Sequence, residues 1–206
     1  SENPDDVAAN DRWGLDTDGK ILGDFATPER ARMTRISKEK WETCDSLDPT
    51  SWGYNRRLKP GQYMTPNELV DYLVDVVSKN GNLLINVGPR ADGTIPEIMQ
   101  ECLRRAGEWL RVNGEAIYGA RCWETHEDGD VRFTRKGDTL YAIALEWPEE
   151  DLKLGSLAGK EVLRVEMLGL AEPLKWKQAS DGLIIQLPSK RPCRYAYAFK
   201  IVCRKL

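Results

Sequence analysis

The sequence predicts an α/β region followed by an antiparallel β-sandwich. The first region contains two helix-period segments on either side of one short apolar run, which is typical of a strand covered on both faces. The second contains several strand-length segments separated by turn residues, the pattern of an antiparallel sandwich. The change of pattern divides the chain into residues 1–119 and 120–206.

The first helix is predicted over residues 65–80. Thr65 and Glu68 have the spacing of a capping box, and Pro66 stands at the first helical position. Leucine and valine side chains then recur on one face until Asn80-Gly81 ends the helix.

An apolar run of strand length, residues 83–87, follows this helix directly. Such runs suit a parallel strand, so Leu84 and Ile85 are expected to be almost fully buried. A second helix is predicted over residues 96–112, opened by Pro96. Helix, buried strand and helix predict a parallel barrel or sheet, and a helical bundle that includes one apolar run is the alternative.

Strand-like segments dominate from residue 120 onward. Residues 131–135 and 139–147 are joined by Lys136-Gly137-Asp138, which is a hairpin signal. Further strands are expected at residues 161–168, 174–178, 183–187 and 195–203.

The composition gives no reason to expect nucleic acid, a membrane or a metal as a partner. The chain has 206 residues, 41% hydrophobic and 31% charged, with a net charge of -3, so it gives no electrostatic reason to bind nucleic acid or an anionic membrane. No apolar run reaches the ~18–20 residues of a membrane span, and no signal peptide opens the chain. Five cysteines are an odd number without zinc-like spacing, and no cofactor or metal is expected.

Residue types point to sugar chemistry. The single histidine, His126, is expected in a polar turn, which disfavours a Ser/His/Asp triad or a multi-histidine metal site. Neither a P-loop nor a GxGxxG motif occurs. The first 56 residues instead combine carboxylates, arginines and aromatic rings. Carboxylates supply the acid, base or nucleophile of glycoside hydrolysis, and aromatic rings cover the apolar face of a pyranose.

Three clusters contain the candidate residues. "NDRWG" contains Arg12, "GDFATPER" contains Glu29, and "WETCDSLDPTSWGYN" contains Glu42 and Trp52. The structural alternative is that Arg12 is an ion-pair partner, the glutamates are solvated charges and the tryptophan is packing. The residues alone leave both readings open.

These motifs, with "LVDVVSKNGNLLINVGPRADGTIP" and "LRRAGEWLRVNGEAIYG", resemble the α-L-fucosidases of glycoside hydrolase family 29 in order and spacing over residues 10–119. Residues 120–206 resemble the C-terminal sandwich of that family more loosely. The resemblance implies part of an irregular (β/α) TIM-like barrel followed by an antiparallel β-sandwich. It also implies a retaining hydrolase that releases terminal α-L-fucose from a fucosylated glycan through a covalent glycosyl-enzyme.

The resemblance also implies roles for four residues. Arg12 matches an arginine at the sugar site, and Trp52 matches an aromatic position that covers the apolar side of fucose. The acid/base is Glu29 or Glu42, because family members differ in which position they use. Both carboxylates are expected in loops that follow barrel strands, and residues 40–56 as a whole in a loop at the top of the barrel.

Glu29 is the favoured acid/base. Pro28 restrains the backbone that leads to Glu29. Glu42 instead has an alternative role as an ion-pair partner of Arg56 or Arg57.

One departure from the family is large. In members of the family, the nucleophilic aspartate and the histidines that hold the sugar lie upstream of "NDRW". This chain begins nine residues before that motif. A complete barrel takes ~250 residues, and about 120 precede the expected sandwich. We therefore expect a fragment that lacks the nucleophile half and partners with the N-terminal half of the same enzyme or with further copies of itself. The alternative is a non-catalytic carbohydrate-binding or complementing module. The resemblance favours an extracellular, periplasmic or lysosomal location.

Overall fold

The computed structural model describes residues 8–18 and 22–206. Within them the helices are α1 (Pro66–Ser78) and α2 (Glu97–Asn113). The strands are β1 (Trp41–Ser46), β2 (Gly81–Asn86), β3 (Arg121–Asp128), β4 (Val131–Lys136), β5 (Thr139–Ala144), β6 (Leu152–Leu154), β7 (Val162–Met167), β8 (Trp176–Ala179), β9 (Gly182–Ile185) and β10 (Tyr197–Cys203).

Both predicted helices are confirmed. The capping box forms as expected: the Thr65 hydroxyl oxygen accepts from the Glu68 N–H at 3.2 Å, and the Glu68 carboxylate accepts from the Thr65 N–H at 2.7 Å. Helix α2 begins directly after Pro96 and buries Cys102 on its apolar face. Among the described residues, no helix is long and apolar enough to cross a membrane.

Four segments run side by side in parallel and form the α/β region. Strands β1 and β2 pair along their whole length, from Trp41 opposite Gly81 to Ser46 opposite Asn86. Single parallel bridges extend this arrangement beyond β1, joining Ala26 to Trp41 and Glu29 to Cys44, and a further one joins Asn10 to Phe25. The order across the region is therefore residue 10, residues 25–29, β1 and β2.

The expectation that residues 40–56 form a loop is wrong for residues 41–46. Trp41 and Thr43 alternate along β1 and are both buried. Trp41 packs in an apolar cluster with Tyr72 and Val76 of α1, and the Thr43 hydroxyl is 3.1 Å from the Tyr72 hydroxyl. Alternate burial against a helix is the environment of a strand, and the mixed composition of this segment concealed it.

The expected burial of Leu84 and Ile85 is also wrong. Ile85 is half-buried and packs towards the helices, while Leu84 is 45% exposed. Successive side chains of a strand point to opposite faces, and the helices cover only one face of this sheet. The continuous apolar run predicted two covered faces, but the second face is exposed at Leu84.

Two antiparallel sheets form the all-β region. One has the strand order β3-β4-β5-β10-β7 and the other β6-β9-β8, and their facing side chains share one apolar core. The predicted hairpin through Gly137 is confirmed, with φ of 55° at the glycine. All six predicted strand segments correspond to observed strands, whereas β3 and β6 were not predicted.

His126 lies within β3, so its assignment to a polar turn is wrong. The strand is rich in charged residues, and its pairing with β4 is irregular between Cys122 and Glu127. A bulged, half-exposed strand lacks the alternation of apolar side chains that identifies strands from sequence.

The two regions share a second core. Tyr141 and Ile143 of β5 and Ala198 of β10 pack with the apolar faces of α1 and α2. Trp109 of α2 is buried there and donates its indole N–H to the carbonyl of Ala196 at 2.7 Å. Because this core draws on both regions, the division at residues 119 and 120 stays a prediction.

Candidate active site

A turn after the first parallel segment presents Arg12. The Asn10 side-chain oxygen accepts from the Arg12 N–H at 3.1 Å and caps a 3-10 turn over Asp11–Trp13. Gly14 ends that turn with φ of 97°, a conformation that favours glycine. The sequence folds locally so that Arg12 lies beside the next segment, residues 25–29.

The guanidinium of Arg12 is fixed by three hydrogen bonds. It donates to Glu29 Oε1 at 2.6 Å, to the Thr27 hydroxyl at 3.1 Å and to the Thr27 carbonyl at 3.2 Å. The side chains of the Arg12–Glu29 pair are each about half exposed, at 48% and 49%. The hydrogen bond to Glu29 raises the pKa of Arg12 above its ordinary value. This pair is the charged centre of the site.

Thr27 orients the pair, and sequence reasoning missed it. Its hydroxyl donates to the Asp11 carboxylate while accepting from Arg12, and its N–H donates to the same Asp11 oxygen at 2.9 Å. Pro28 favours an extended conformation for Thr27, the residue that precedes it. A hydroxyl two residues before Glu29 on an extended segment lies on the same face as that carboxylate, and this spacing was the available signal.

Glu29 lies level with Cys44 in the parallel register. Arg30, the next residue, donates its N–H to the Cys44 carbonyl at 2.9 Å and has φ of 50°. This left-handed conformation is uncommon for a residue other than glycine. Segment 25–29 therefore ends with an abrupt change of direction directly after the Glu29 carboxylate.

Residues 47–55, called here the Trp52 loop, leave the end of β1. Asp48 is fully buried at the start of this loop, and its Oδ1 accepts from the Thr50 N–H, the Thr50 hydroxyl and the Ser51 N–H at 2.7, 2.7 and 3.2 Å. Asn86, at the end of β2, donates to the Trp52 carbonyl at 2.8 Å. The loop is thus tied to both strand ends.

The electrostatics of Asp48 favour its charged form. Burial works to raise its pKa, but hydrogen bonds from Thr50, Asn55 and Ser51 outweigh burial and hold the pKa below its ordinary value. Its second oxygen is buried and has no hydrogen-bond partner among the described residues.

Trp52 itself is 38% exposed. The guanidinium carbon of Arg30 lies 4.5 Å from the centre of the Trp52 ring, and Arg30 also donates to the Pro49 carbonyl. The chain of contacts Arg12, Glu29, Arg30 and Trp52 brings three of the four predicted site residues to one edge of the parallel segments.

Glu42 lies apart from this group. It is the second residue of β1, opposite Asn82, so the expectation that it follows a strand is wrong. It is two residues before Cys44, the residue level with Glu29, which places it about 7 Å further towards the start of the strand. It lines a cavity of about 320 Å³ with Phe25 and Asn82. The expected pairing with Arg56 or Arg57 is absent, and within residues 8–18 and 22–206 the Glu42 carboxylate has no ion pair.

The two glutamates nevertheless share one face. Glu42, Cys44 and Ser46 of β1 alternate with the residues that face α1, and by register Glu29 lies beside Cys44. Burial raises the pKa of the Cys44 thiol, and the negative charges of Glu29 and Glu42 raise it further while Arg12 opposes them. We call this side of β1 and β2, which also carries Asn82, Leu84 and Asn86, the open face.

The described residues contain no group of three or more side chains suited to hold a metal ion. All five cysteines lie within this part of the chain, and none forms a disulfide. The site therefore offers a carboxylate hydrogen-bonded to a guanidinium beside an indole ring. A carboxylate transfers protons, a guanidinium binds hydroxyl oxygens, and an indole covers an apolar surface.

Two family models match the chain. The model described as alpha-L-fucosidase matches residues 1–115, more than half of the chain. The chain belongs to the alpha-L-fucosidase family. The model described as alpha-L-fucosidase C-terminal domain matches residues 125–202.

Curated members of the alpha-L-fucosidase family match nearly the whole chain. An alpha-L-fucosidase of Branchiostoma floridae is 39% identical over 207 residues, and plasma alpha-L-fucosidase of Rattus norvegicus is 39% identical over 218 residues. These matches cover 96% and 98% of the chain but 46% and 47% of the relatives. The chain thus spans about half the length of these alpha-L-fucosidases.

Solved structures of the family have the same fold over this length. Alpha-L-fucosidase isoenzyme 1 from Paenibacillus thiaminolyticus matches with a TM-score of 0.87 at 29% identity, covering 99% of the chain and 52% of that structure. The Thermotoga maritima alpha-fucosidase in complex with fucose matches with a TM-score of 0.79 at 35% identity, covering 97% and 46%.

Proposed function

We propose that the complete protein containing this chain is a retaining α-L-fucosidase that releases terminal α-L-fucose from glycans. Family membership supports this activity, and the hydrogen-bonded Arg12–Glu29 pair at the strand ends is the observation that carries it. By the resemblance described above, the nucleophile lies outside this chain, so the chain contributes one half of the site.

The parallel segments are proposed to belong to a (β/α) barrel. Four adjacent segments in one parallel order, with helices covering one side of β1 and β2, are the arrangement of such a barrel. On this proposal the open face points into the barrel, and strands of the preceding segment cover Leu84. Residues 1–119 are the proposed barrel portion and residues 120–206 the C-terminal domain.

Glu29 is the proposed acid/base. In (β/α) barrels the chemistry takes place at the carboxyl ends of the strands, and Glu29 ends its parallel segment whereas Glu42 lies near the start of β1. Arg12 is proposed to orient Glu29 and to bind sugar hydroxyls, and Trp52 to cover the apolar side of the ring. Glu42 remains the alternative acid/base.

Azide rescue in the complete gene product tests this assignment. Glu29→Ala should leave the first step on an aryl fucoside with a good leaving group nearly unchanged, because that leaving group needs no proton. The second step should be slow and restored by azide, which attacks without a general base. The 206-residue chain alone should not turn over the substrate.

Glu42→Ala is the matched comparison. It should show no azide rescue, and rescue at Glu42 alone would move the assignment there. Rescue at neither residue would mean that the acid/base lies elsewhere. Sugar binding by a complete gene product without any turnover would favour the non-catalytic carbohydrate-binding module.

A further inference from the structure

Arg30 is the residue that connects the proposed acid/base with the proposed sugar wall. Its backbone follows Glu29 directly and is anchored to β1 by the hydrogen bond from its N–H to the Cys44 carbonyl at 2.9 Å. Its side chain extends to the Trp52 loop, where the guanidinium lies over the indole ring and donates to the Pro49 carbonyl.

The guanidinium of Arg30 occupies one face of the Trp52 ring. The guanidinium carbon is 4.5 Å from the ring centre, well within the distance of a cation–π contact, so it occupies one face of Trp52. Trp52 as a whole residue is 38% exposed. A sugar that stacks on this indole therefore has to use the face opposite Arg30.

The backbone of Arg30 adopts an uncommon conformation that its contacts hold in place. A φ of 50° is sterically unfavourable for a side chain of this size, and such conformations persist where the surrounding contacts hold them. Here the contacts that hold it are the bond to Cys44 on the backbone side and those to Pro49 and Trp52 on the side-chain side. These contacts make the residue a brace between two segments of the site.

We propose that Arg30 is a positioning residue for fucose binding. It holds the Trp52 ring in place and covers the face of the ring that is opposite the sugar. This inference rests on the proposed function. It assigns Arg30 no proton transfer, so the residue acts on sugar affinity through Trp52 and leaves the chemistry of Glu29 unchanged.

The test is a double-mutant cycle in the complete gene product, with an aryl fucoside as substrate. Arg30→Asn removes the guanidinium while asparagine tolerates the left-handed backbone. We expect KM to rise about three- to tenfold with kcat changed less than about twofold, because binding contacts of this kind act equally on ground and transition states. Arg30→Lys should recover part of the loss through its own cation, and Arg56→Asn in the same region should leave KM unchanged.

The second arm of the cycle uses Trp52→Ala. In that background Arg30→Asn should have no further effect on KM, since its target ring is gone. A persisting effect, a normal KM in Arg30→Asn, or a loss confined to kcat would each overturn the proposal. Failure of the proposed function has a different signature, because the unmodified gene product would then not hydrolyse the aryl fucoside.

Discussion

Replacing Asp75 by alanine should destabilise the chain strongly, because Asp75 neutralises a buried cation between the two regions. Its carboxylate accepts from the Lys79 ammonium at 2.7 and 2.8 Å and from Arg132 of β4 at 3.1 Å. The side chains of Asp75 and Lys79 are each only 9% exposed. The cluster therefore ties α1 to the larger sheet in surroundings from which water is largely excluded.

The magnitude follows from the charge that Asp75→Ala leaves behind. Breaking a buried pair by removing one partner costs about 3–5 kcal/mol, since the remaining charge is buried without compensation. Arg132 keeps contacts with Glu127 and the Gly129 carbonyl, so the cost arises mainly from Lys79. A loss of about 3 kcal/mol is a large part of the 5–15 kcal/mol typical of a folded protein.

Urea denaturation followed by tryptophan fluorescence measures this loss. The matched control is Asp181→Ala, which removes an exposed pair with Lys153 and should shift the urea midpoint little, because exposed ion pairs contribute little to stability. Adding Lys79→Met to Asp75→Ala should recover part of the stability, because the unpaired charge is then gone. Equal midpoints for Asp75→Ala and Asp181→Ala would refute the reasoning.

Three further predictions concern stability of the chain. The Asp71 pKa is raised to about 6, first by burial and then by the charge of Glu146, so the folded state binds this proton more tightly than the unfolded state. The protonated form of Asp71 stabilises the fold at low pH, and this contribution is lost as pH rises through 6. Asp71→Asn should therefore raise the free energy of unfolding by about 1–2 kcal/mol at pH 7.5, after discounting for solvent screening, and make it depend less on pH between 4 and 7. Gly81→Ala should lower the melting temperature by several degrees, because a Cβ there would lie 2.5 Å from the Trp41 ring; an unchanged melting temperature would mean that the ring moves aside at little cost. Leu84→Ser should change the urea midpoint of the isolated chain little, whereas Leu140→Ser in the core should cost about 2–5 kcal/mol, and similar losses for both would show that the open face is covered.

The helices and most strands could be predicted because their signals are local. The capping box at Thr65, the left-handed Asn80 after α1 and the turn at Gly137 each act within a few residues, and each lies where the sequence indicated. Leu84 was mispredicted for the opposite reason. Its burial depends on what covers the second face of the sheet, and a run of apolar letters carries no information on whether that partner is present.

The residue types of the candidate site could be predicted from the sequence, but the position of each residue along its strand could not. Arg12, Glu29 and Trp52 come together as their motifs indicated, although 40 residues separate the first from the last. Glu42 was expected beside them, but its position in β1 depends on a parallel register that no local pattern encodes. Thr27 and Arg30 were not predicted, because their contacts join separate segments of the chain.

The core shared by the two regions limits how this protein can be divided or recombined. Trp109 and Tyr141 are each about 2% exposed in that core, one contributed by α2 and the other by β5. Cutting the gene between them would turn both rings into exposed apolar surface on the separated products. Exchange of the C-terminal region between family members should therefore succeed only when the matching helix surface is exchanged with it, so that the two regions are inherited as one unit.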